Sequence, residues 1–598
     1  MRGSAQRCRE GLNGGLPRMR RTSSGSQLHR AMELLRLRLS RPDALFWPAV
    51  LGLLTGVAAG VVIVAFRLSV EGLQATTLPG HGENYEGLPI LVRLVLPLLG
   101  SVLIGLLFVR FAHGIYVLGV ARVMERMEYH QGHMTRRGFV LQFLGAAIAI
   151  VSGHSVGREG PHVYLGAASG SLIGQFLTLP NNSIRNMAAC GTAAGISASF
   201  NTPLAGVIFA LEVLGLEYSV ASFVPIILAA VSANALSVAV FGSDPVLQVA
   251  PIVVTSLTAL LPVAVLGLLV GALSAAYIQS IKTIAGWGKR LSFFRRVCLA
   301  GVIAGIAGAV VPEVMGLGYD TLRKLLTEPL AWSFLLLLLL FKLLATSASA
   351  GLGIPGGTIG PALFMGAILG NLVGVAAVTF AGIDADQVAF FALLGMGAMM
   401  GASLQAPLAA LTAIVELTHS PGVIMPGMLV IILAALTSKE LFGRDSLFLT
   451  TLRANGLDYR SNPVVHLLRR SGVGGAMNTR FARHEQRLTR DQALRLVGDE
   501  PEWVIVDKDG GPAYLMPGIA VASALSLAPD TQEIDLLAIP GNRLELAPIH
   551  LQATLQEALD LMQTRGAEAL YVERMIAPGI THIYGVLTRE RIESAYRY

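Results

Sequence analysis

Residues 152–174 read SGHSVGREGPHVYLGAASGSLIG and place two charged side chains, Arg158 and Glu159, in a stretch that otherwise suits a membrane interior. A charge in hydrocarbon costs about 3 kcal/mol or more, so the pair indicates an ion path or a buried contact rather than lipid exposure. The flanking glycines let backbone N–H groups approach a ligand, and Pro161 is favoured in the first turn of a helix. We therefore predict a helix that begins at Glu159 or at the glycine after it.

The start of such a helix is an anion site without a basic side chain. It carries roughly half a positive elementary charge together with free N–H donors. A carboxylate at this position can occupy the site itself. When Glu159 moves away, or takes up a proton and leaves, a free anion can take its place. We interpret Glu159 as a gate, in preference to a purely structural partner of Arg158.

The composition excludes a soluble protein of this size, because 53% of the 598 residues are hydrophobic and only 14% are charged. The chain is predicted to be a polytopic, all-α membrane protein. Its cysteines, Cys8, Cys190 and Cys298, lie in unlike contexts and support neither a disulfide framework nor a thiolate metal site. The net charge of +7 does not indicate nucleic-acid binding, because the basic residues cluster in the tail and short loops. This distribution indicates how the chain is oriented in the membrane.

Composition also divides the chain. Residues 1–43 are rich in Arg and are predicted to form a cytoplasmic tail, and residues 44–454 form the membrane domain. The first span is expected from Leu45 to Val70. Residues 455–475 are expected to be a linker, and residues 476–598 alternate helix and strand patterns that predict two small α/β units.

The membrane domain is internally duplicated, with predicted halves at about 44–245 and 250–454. The first set of matching positions is Pro161, Gly166, Gly170 and Gly174 with Pro361, Gly366, Gly370 and Gly374; the second is Pro203, Leu204, Ala205 and Glu212 with Pro407, Leu408, Ala409 and Glu416. Interrupted helices at matching places are typical of transporters, with the ion site where the two breaks face each other. The predicted membrane spans alone do not show whether the second half is inverted relative to the first. We expect Glu212 and Glu416 to be helix-end or packing partners rather than proton carriers.

Three motifs resemble signatures of the CLC chloride channel and transporter family: GREGP at 157–161, FNTPLAG at 200–206 and PGGTIGP at 355–361. The resemblance covers about residues 45–453, and the C-terminal part resembles the paired CBS domains that often follow. It implies inverted repeats, a homodimer in the lipid membrane with one anion pathway per subunit, and a gating glutamate at Glu159. It also implies that Gly160, Thr358, Ile359 and Gly360 line the pathway.

The chain departs from the family pattern at three places. The first anion motif, usually Gly-Ser-Gly-Ile-Pro, reads Ala112, His113, Gly114, Ile115, Tyr116. His113 is either a hydrogen-bonded packing residue or a pathway ligand. The coordinating tyrosine falls on Phe448, and the inner glutamate through which many proton-coupled members pass protons falls on Val213. Valine cannot carry a proton.

Gated, channel-like permeation of chloride is therefore the leading expectation. The alternative is a chloride/proton antiporter with a non-standard proton route, or a transporter of another small anion. An enzyme is not expected, because His484 and Glu485 begin a zinc-protease-like string that has no second histidine at the helical spacing. The compact loops favour a bacterial inner membrane, with both termini cytoplasmic.

No cofactor or metal is expected, with chloride as the bound substrate. Some CBS domains bind an adenine nucleotide through a Thr-x-x-Asp ending that suits a ribose. Here Thr588 is followed by Glu590 and Arg591. A structural or dimerising role of the C-terminal pair is favoured over nucleotide binding.

Overall fold

The computed structural model of the chain describes residues 36, 39, 45–79, 83–114, 116, 118–216, 218–242, 260–327, 330–381, 384, 387–457, 463–527, 532–577 and 580–594. Most of the expected Arg-rich tail lies outside these residues, as do Ile115 of the first anion motif and residues 458–462 of the expected linker.

The described part of the membrane domain is helical in both halves. The first half contains α1 (Phe46–Thr77), α2 (Ile90–Phe111), α3 (Gly119–Tyr129), α4 (Arg136–Val151), α5 (Glu159–Phe176), α6 (Asn181–Phe200), α7 (Pro203–Val213) and α8 (Val220–Phe241). The second contains α9 (Leu260–Gly288), α10 (Phe293–Val310), α11 (Tyr319–Thr327), α12 (Trp332–Leu352), α13 (Ile359–Ala381), α14 (Val388–Leu404), α15 (Pro407–Thr418), α16 (Ile424–Leu436) and α17 (Leu447–Ala454). Among the described residues, eight helices are long and apolar enough to cross a membrane, so the chain is a multi-pass membrane protein.

Helix α1 is longer than the sequence predicts. The expected span stopped at Val70 because acidic residues follow, but α1 continues to Thr77. Arg67 Nε donates to Glu71 Oε1 at 2.6 Å, one turn along the helix. Opposite charges four residues apart stabilise a helix, so the charged turn extends α1 instead of ending it.

The packing of α5 on α6 is repeated by α13 on α14. A Cβ atom at Gly166 would lie 2.1 Å from the carbonyl oxygen of Gly191, and one at Gly366 would lie 2.2 Å from that of Gly395. Only glycine permits such a close backbone approach between helices. Equivalent glycines therefore make equivalent contacts in each half, which confirms the predicted duplication.

The short helices α7 and α15 show that the two halves are inverted. Each ends with a glutamate whose carboxylate accepts two backbone N–H bonds from the first turn of the other helix. The pairs are Glu212 with Leu408 (3.1 Å) and Ala409 (2.7 Å), and Glu416 with Leu204 (2.9 Å) and Ala205 (2.8 Å). Two helices that cap each other in this way run antiparallel. Because α7 and α15 are equivalent, their halves are inverted, and the expected helix-end role of Glu212 and Glu416 is confirmed.

The C-terminal part begins with α18 (Pro463–Arg470), inside the expected linker, and α19 (Val473–Ala476). The strands are β1 (Phe481–Glu485), β2 (Arg487–Thr489), β3 (Trp503–Lys508), β4 (Gly511–Pro517), β5 (Glu533–Asp535), β6 (Leu544–His550), β7 (Ala569–Ala577) and β8 (Ile580–Thr588). The helices are α20 (Arg490–Gly498), α21 (Gly518–Leu527), α22 (Leu555–Arg565) and α23 (Arg589–Ser594). The sheet order β1-β3-β4-β6-β7-β8 joins two predicted α/β units through β4 and β6.

Each unit starts its first full helix in the same way. Thr489 before α20 and Thr554 before α22 both form a capping box with the residue three positions on. The second unit touches the membrane domain just beyond the end of α5. The Asn181 side chain donates to Glu557 at 3.1 Å, and Gln552 Nε2 donates to the carbonyl oxygen of Thr178 at 2.8 Å. The C-terminal domain is thus docked on the loop that follows the helix carrying Glu159.

Candidate anion pathway

The two Gly-rich breaks meet, as the sequence predicts. The N–H of Gly157 donates to the carbonyl oxygen of Gly357 at 2.7 Å, and the N–H of Gly357 returns a bond of 2.6 Å. This antiparallel bridge brings the starts of α5 and α13 together. A Cβ atom at Gly357 would lie 2.7 Å from the backbone nitrogen of Gly160, so only glycine allows this approach. Two positive helix ends therefore converge on one point.

The Glu159 carboxylate lies at this convergence and is fully buried. Its Oε2 accepts the backbone N–H of Gly360 at 3.1 Å, and its Oε1 accepts the hydroxyl of Tyr319 at 3.0 Å. A Cβ atom at Gly157 would lie 2.1 Å from Oε2, and one at Gly360 would lie 2.9 Å from both oxygens. We call the space bounded by Gly157, Gly360 and Tyr319 the carboxylate seat. A carboxylate from the first half thus caps the helix of the second half.

The neighbouring Arg158 does not pair with Glu159. Among the described residues, its guanidinium makes one hydrogen bond, to the carbonyl oxygen of Ser199 at 3.4 Å, and lies 4.8 Å from the ring centre of Tyr319. The described contacts of Glu159 are those of the seat. The geometry therefore favours a carboxylate held at a helix start over a carboxylate held by a salt bridge.

Tyr319 is the seat residue that sequence reasoning missed. It begins α11 directly after Gly316 and Gly318, whose φ angles of 60° and 79° form a turn that glycine favours. Two glycines on either side of Leu317, just before an aromatic residue, were the available signal. They carry no periodicity, and the partner carboxylate lies 160 positions earlier in the chain.

A large cavity lies next to the seat and is lined by residues adjacent to it in sequence, Gly160 and Ile359. It has a volume of about 390 Å³ and is lined by predicted pathway residues, which are Gly114, Gly160, Thr358, Ile359 and Phe448. Four cationic side chains also line it, namely Arg122, Lys282, Lys289 and Arg296. We call it the Phe448-side cavity. Arg122 forms an ion pair with Glu125, but no acidic residue is among the described lining residues, so the cavity attracts anions through its other cationic side chains.

The seat itself lies in a second, much smaller chamber. The chamber holds only about 10 Å³ and is lined by Glu159, Gly360, Tyr319, Leu317 and Phe364 among others. Glu159 thus lies in a closed, mainly apolar chamber and is not among the described residues that line the neighbouring basic cavity.

The remaining predicted residues are placed differently. His113 is exposed at a left-handed turn (φ 44°) after α2 and is not among the described residues that line the Phe448-side cavity. Tyr116, two positions on from Gly114, does line it. Val213 is buried at the end of α7, and Phe448 is 5% exposed. Within the described ranges, no group of three or more His, Cys, Asp or Glu is arranged to hold a metal ion.

Comparison with known proteins agrees with this geometry. Residues 100–439 match the family model described as voltage gated chloride channel. The chain is 33% identical to a ClcB-like chloride channel protein of Ralstonia nicotianae, over 68% of this chain and 96% of that protein. It is 27% identical to the H+/Cl− exchange transporter ClcA of Vibrio parahaemolyticus, over 69% of this chain and 90% of that protein. The crystal structure of a slow cyanobacterial Cl−/H+ antiporter superposes with a TM-score of 0.62 at 21% identity, over 68% of this chain and 97% of that one.

Proposed function

The chain belongs to the voltage-gated chloride channel family, and we propose that it exchanges chloride for protons, with Glu159 as both the gate and the proton-carrying group. The observation that carries this proposal is the position of the Glu159 carboxylate, bound by the Gly360 N–H and the Tyr319 hydroxyl where two helix starts converge. A chloride ion is attracted by the same donors. Carboxylate and chloride therefore compete for one seat.

Competition for the seat couples the two ions. The ionised carboxylate is held by the donors and blocks the pathway. A proton that binds Glu159 removes its charge, so the attraction of the helix starts falls and the side chain leaves. Chloride then enters the seat from the Phe448-side cavity, where Lys282, Lys289 and Arg296 raise its local concentration. Loss of the proton from Glu159 restores its negative charge, and the returning carboxylate then expels the chloride.

The Phe448-side cavity is proposed to face the cytoplasm, in a bacterial inner membrane with both termini inside. The proton route on that side is non-standard, because Val213 stands where the family resemblance puts an inner glutamate. Glu212 does not replace it, since both of its carboxylate oxygens accept bonds from the start of α15. Protons must therefore reach Glu159 without the help of residues 212 and 213, for example through water in the Phe448-side cavity.

The exchange proposal takes its support from relatives. ClcA of Vibrio parahaemolyticus is an exchange transporter by name, and the superposed cyanobacterial structure is that of a Cl−/H+ antiporter. Channel-like permeation, the leading expectation from sequence, is the second candidate. The residue that favours it is Val213, because a chain without an inner proton acceptor can leave chloride movement uncoupled.

Purified protein in liposomes separates the two candidates. An imposed chloride gradient should drive protons uphill across the membrane at a fixed ratio to chloride, recorded together with a chloride electrode and a pH dye. The Glu159→Gln variant should move chloride and no protons. Chloride flux in the unmodified protein without any uphill proton movement would overturn exchange and leave passive permeation.

A homodimer is proposed as the working assembly, with lipid around its remaining apolar faces. Helices α7 and α15 each present a large apolar side chain outward, with Leu204 49% and Leu408 58% exposed. We propose that this surface meets its copy in a second subunit. Replacement of both leucines by tryptophan should yield monomers in light scattering of the detergent-solubilised protein; an unchanged mass would argue against this surface.

A further inference from the structure

A second polar cavity lies beside the seat, away from the Phe448-side cavity. It has a volume of about 410 Å³, and Arg158, His162 and Ser199 line it. Tyr319 and Leu317 line both this cavity and the closed chamber next to Glu159, so they form the wall between the two. We call it the side cavity. Two of the family motifs contribute to its lining, through Arg158 and Asn201, but the sequence assigns neither residue to a cavity.

Its lining holds buried polar groups without partners among the described residues. His162 is 1% exposed and neither of its ring nitrogens has a hydrogen-bond partner. Ser199 is 3% exposed and its hydroxyl is also unpartnered, as is Nε of Arg158. Buried polar groups are nearly always satisfied in folded proteins. Three unsatisfied groups on one cavity therefore indicate that ordered water or a polar ligand occupies it.

The chemistry of the lining points to a negative ligand. A guanidinium offers only donors, a hydroxyl offers one, and an imidazole offers at least one N–H in either protonation state. The single hydrogen bond of the Arg158 guanidinium within the described structure is the 3.4 Å contact to the Ser199 carbonyl. A half-buried guanidinium whose Nε is buried without a partner among the described residues favours an anion over another neutral partner.

The acidic residues on the same cavity are engaged elsewhere or exposed. Glu71 pairs with Arg67 at 2.6 Å, and Glu83 Oε2 accepts the N–H of Gly318 at 3.1 Å. Asp320 is exposed, as is the cationic Arg323. Glu83 and Glu71 interact with Arg158 electrostatically, but no described carboxylate forms an ion pair in direct contact with its guanidinium.

We propose that the side cavity binds one small monovalent anion, held by Arg158, His162 and Ser199. With chloride as the anion, which rests on the proposed function, the cavity is a holding site beside the gate. When Tyr319 releases Glu159, the shared wall moves and the held anion lies next to the seat. Glu83 lines the side cavity, and we call the side of the membrane on which Glu83 lies the Glu83 side. The site would raise the apparent affinity for chloride on the Glu83 side only.

The chain supplies a matched control. Ser199 in the sequence Ala198-Ser199-Phe200 is repeated in the second half as Ser403 in Ala402-Ser403-Leu404. The Ser403 hydroxyl donates to the carbonyl oxygen of Met400 at 3.4 Å and is not among the described residues of the side cavity. Ser199→Ala and Ser403→Ala thus remove the same group from equivalent helix ends, and only the first faces the proposed anion.

Bromide is the probe, located by its anomalous scattering in crystals of the full-length protein. We expect a peak within about 3.5 Å of Arg158 Nε in the unmodified protein and in Ser403→Ala, and a weaker or absent peak in Ser199→Ala and His162→Leu. In liposomes, Ser199→Ala should raise the half-saturating chloride concentration about tenfold on the Glu83 side alone, as expected for a lost hydrogen bond to a charged ligand.

The holding site is overturned if Arg158 contacts water and no bromide at concentrations at which bromide fills the Phe448-side cavity. That result would leave the proposed exchange intact. A peak that persists unchanged in both Ser199→Ala and His162→Leu would also overturn the holding site. Absence of proton pumping together with a bromide peak at Arg158 would overturn the exchange proposal instead. A variant that elutes from gel filtration as a single species, like the unmodified protein, is folded. If Ser199→Ala does not fold, His162→Leu provides the test.

Discussion

Tyr319→Phe is the substitution that examines the gate with the least disturbance, because it removes one oxygen atom. The Tyr319 hydroxyl donates to Glu159 Oε1 at 3.0 Å and, with the Gly360 N–H, holds the carboxylate in its seat. The ring itself remains, and with it the contact with the Arg158 guanidinium at 4.8 Å. The change therefore weakens the docked state of Glu159 without opening a cavity.

The size of the effect follows from the bond that is lost. A hydrogen bond to a charged group contributes about 1.5–3 kcal/mol, so the equilibrium between docked and undocked carboxylate shifts by about tenfold to 150-fold. If the docked carboxylate limits transport, chloride flux rises by a similar factor until another step becomes limiting. Because Glu159 itself is retained, protons are still carried, but fewer move for each chloride as the seat stands open longer.

The assay is simultaneous chloride and proton flux in liposomes, with Tyr85→Phe as the matched control. The Tyr85 hydroxyl is also buried and donates to the carbonyl oxygen of Ile150 at 2.7 Å, away from the seat. It should leave the ratio of chloride to protons unchanged. A Tyr319→Phe variant with the flux and ratio of the unmodified protein would refute the hydroxyl's part in holding the gate.

Three further predictions concern the seat, the helix caps and a loop carboxylate. Gly360→Ala should raise passive chloride flux and lower proton pumping, since the new Cβ would lie 2.9 Å from both carboxylate oxygens of Glu159. Glu416→Ala should lower the free energy of unfolding by about 2–3 kcal/mol in a denaturant titration, because two backbone N–H groups lose a charged acceptor. The ratio of chloride to protons should stay unchanged, and Glu212→Ala should give the same two results. A changed ratio would instead make Glu416 a proton carrier. Burial raises the pKa of Glu83, in the loop between α1 and α2, to about 7. The folded state then binds a proton that the unfolded state has released, so the midpoint of thermal unfolding should fall as pH rises from about 5 to 7, and this slope should be smaller in Glu83→Gln.

Much of the architecture can be predicted from the sequence because duplication leaves a pattern in the chain. The repeated prolines and glycines predict two equivalent breaks, and the structure joins them through Gly157 and Gly357. Glu212 and Glu416 were expected at helix ends, and each caps the helix of the other half. These features are readable because each depends on residues close together in sequence and recurs at a fixed offset.

The parts that could not be predicted depend on contacts between distant residues. Tyr319 meets Glu159 across 160 positions, with no motif to pair them. His162 and Ser199 share a cavity although each alone looks like an ordinary polar residue in a buried helix. His113 was considered for the pathway from its place in a motif, but a left-handed turn leaves it exposed. Side-chain direction at such turns is set by tertiary packing rather than by local sequence.

The competition between carboxylate and anion is tested most directly by locating bromide in crystals of the Glu159→Gln variant. With the charge removed, the side chain should leave and a bromide ion should replace it in the seat, within about 3.5 Å of the Gly360 nitrogen and the Tyr319 hydroxyl. The same position should be free of bromide in the unmodified protein, where the carboxylate fills it. A seat without bromide in Glu159→Gln, while bromide fills the Phe448-side cavity, would contradict the competition.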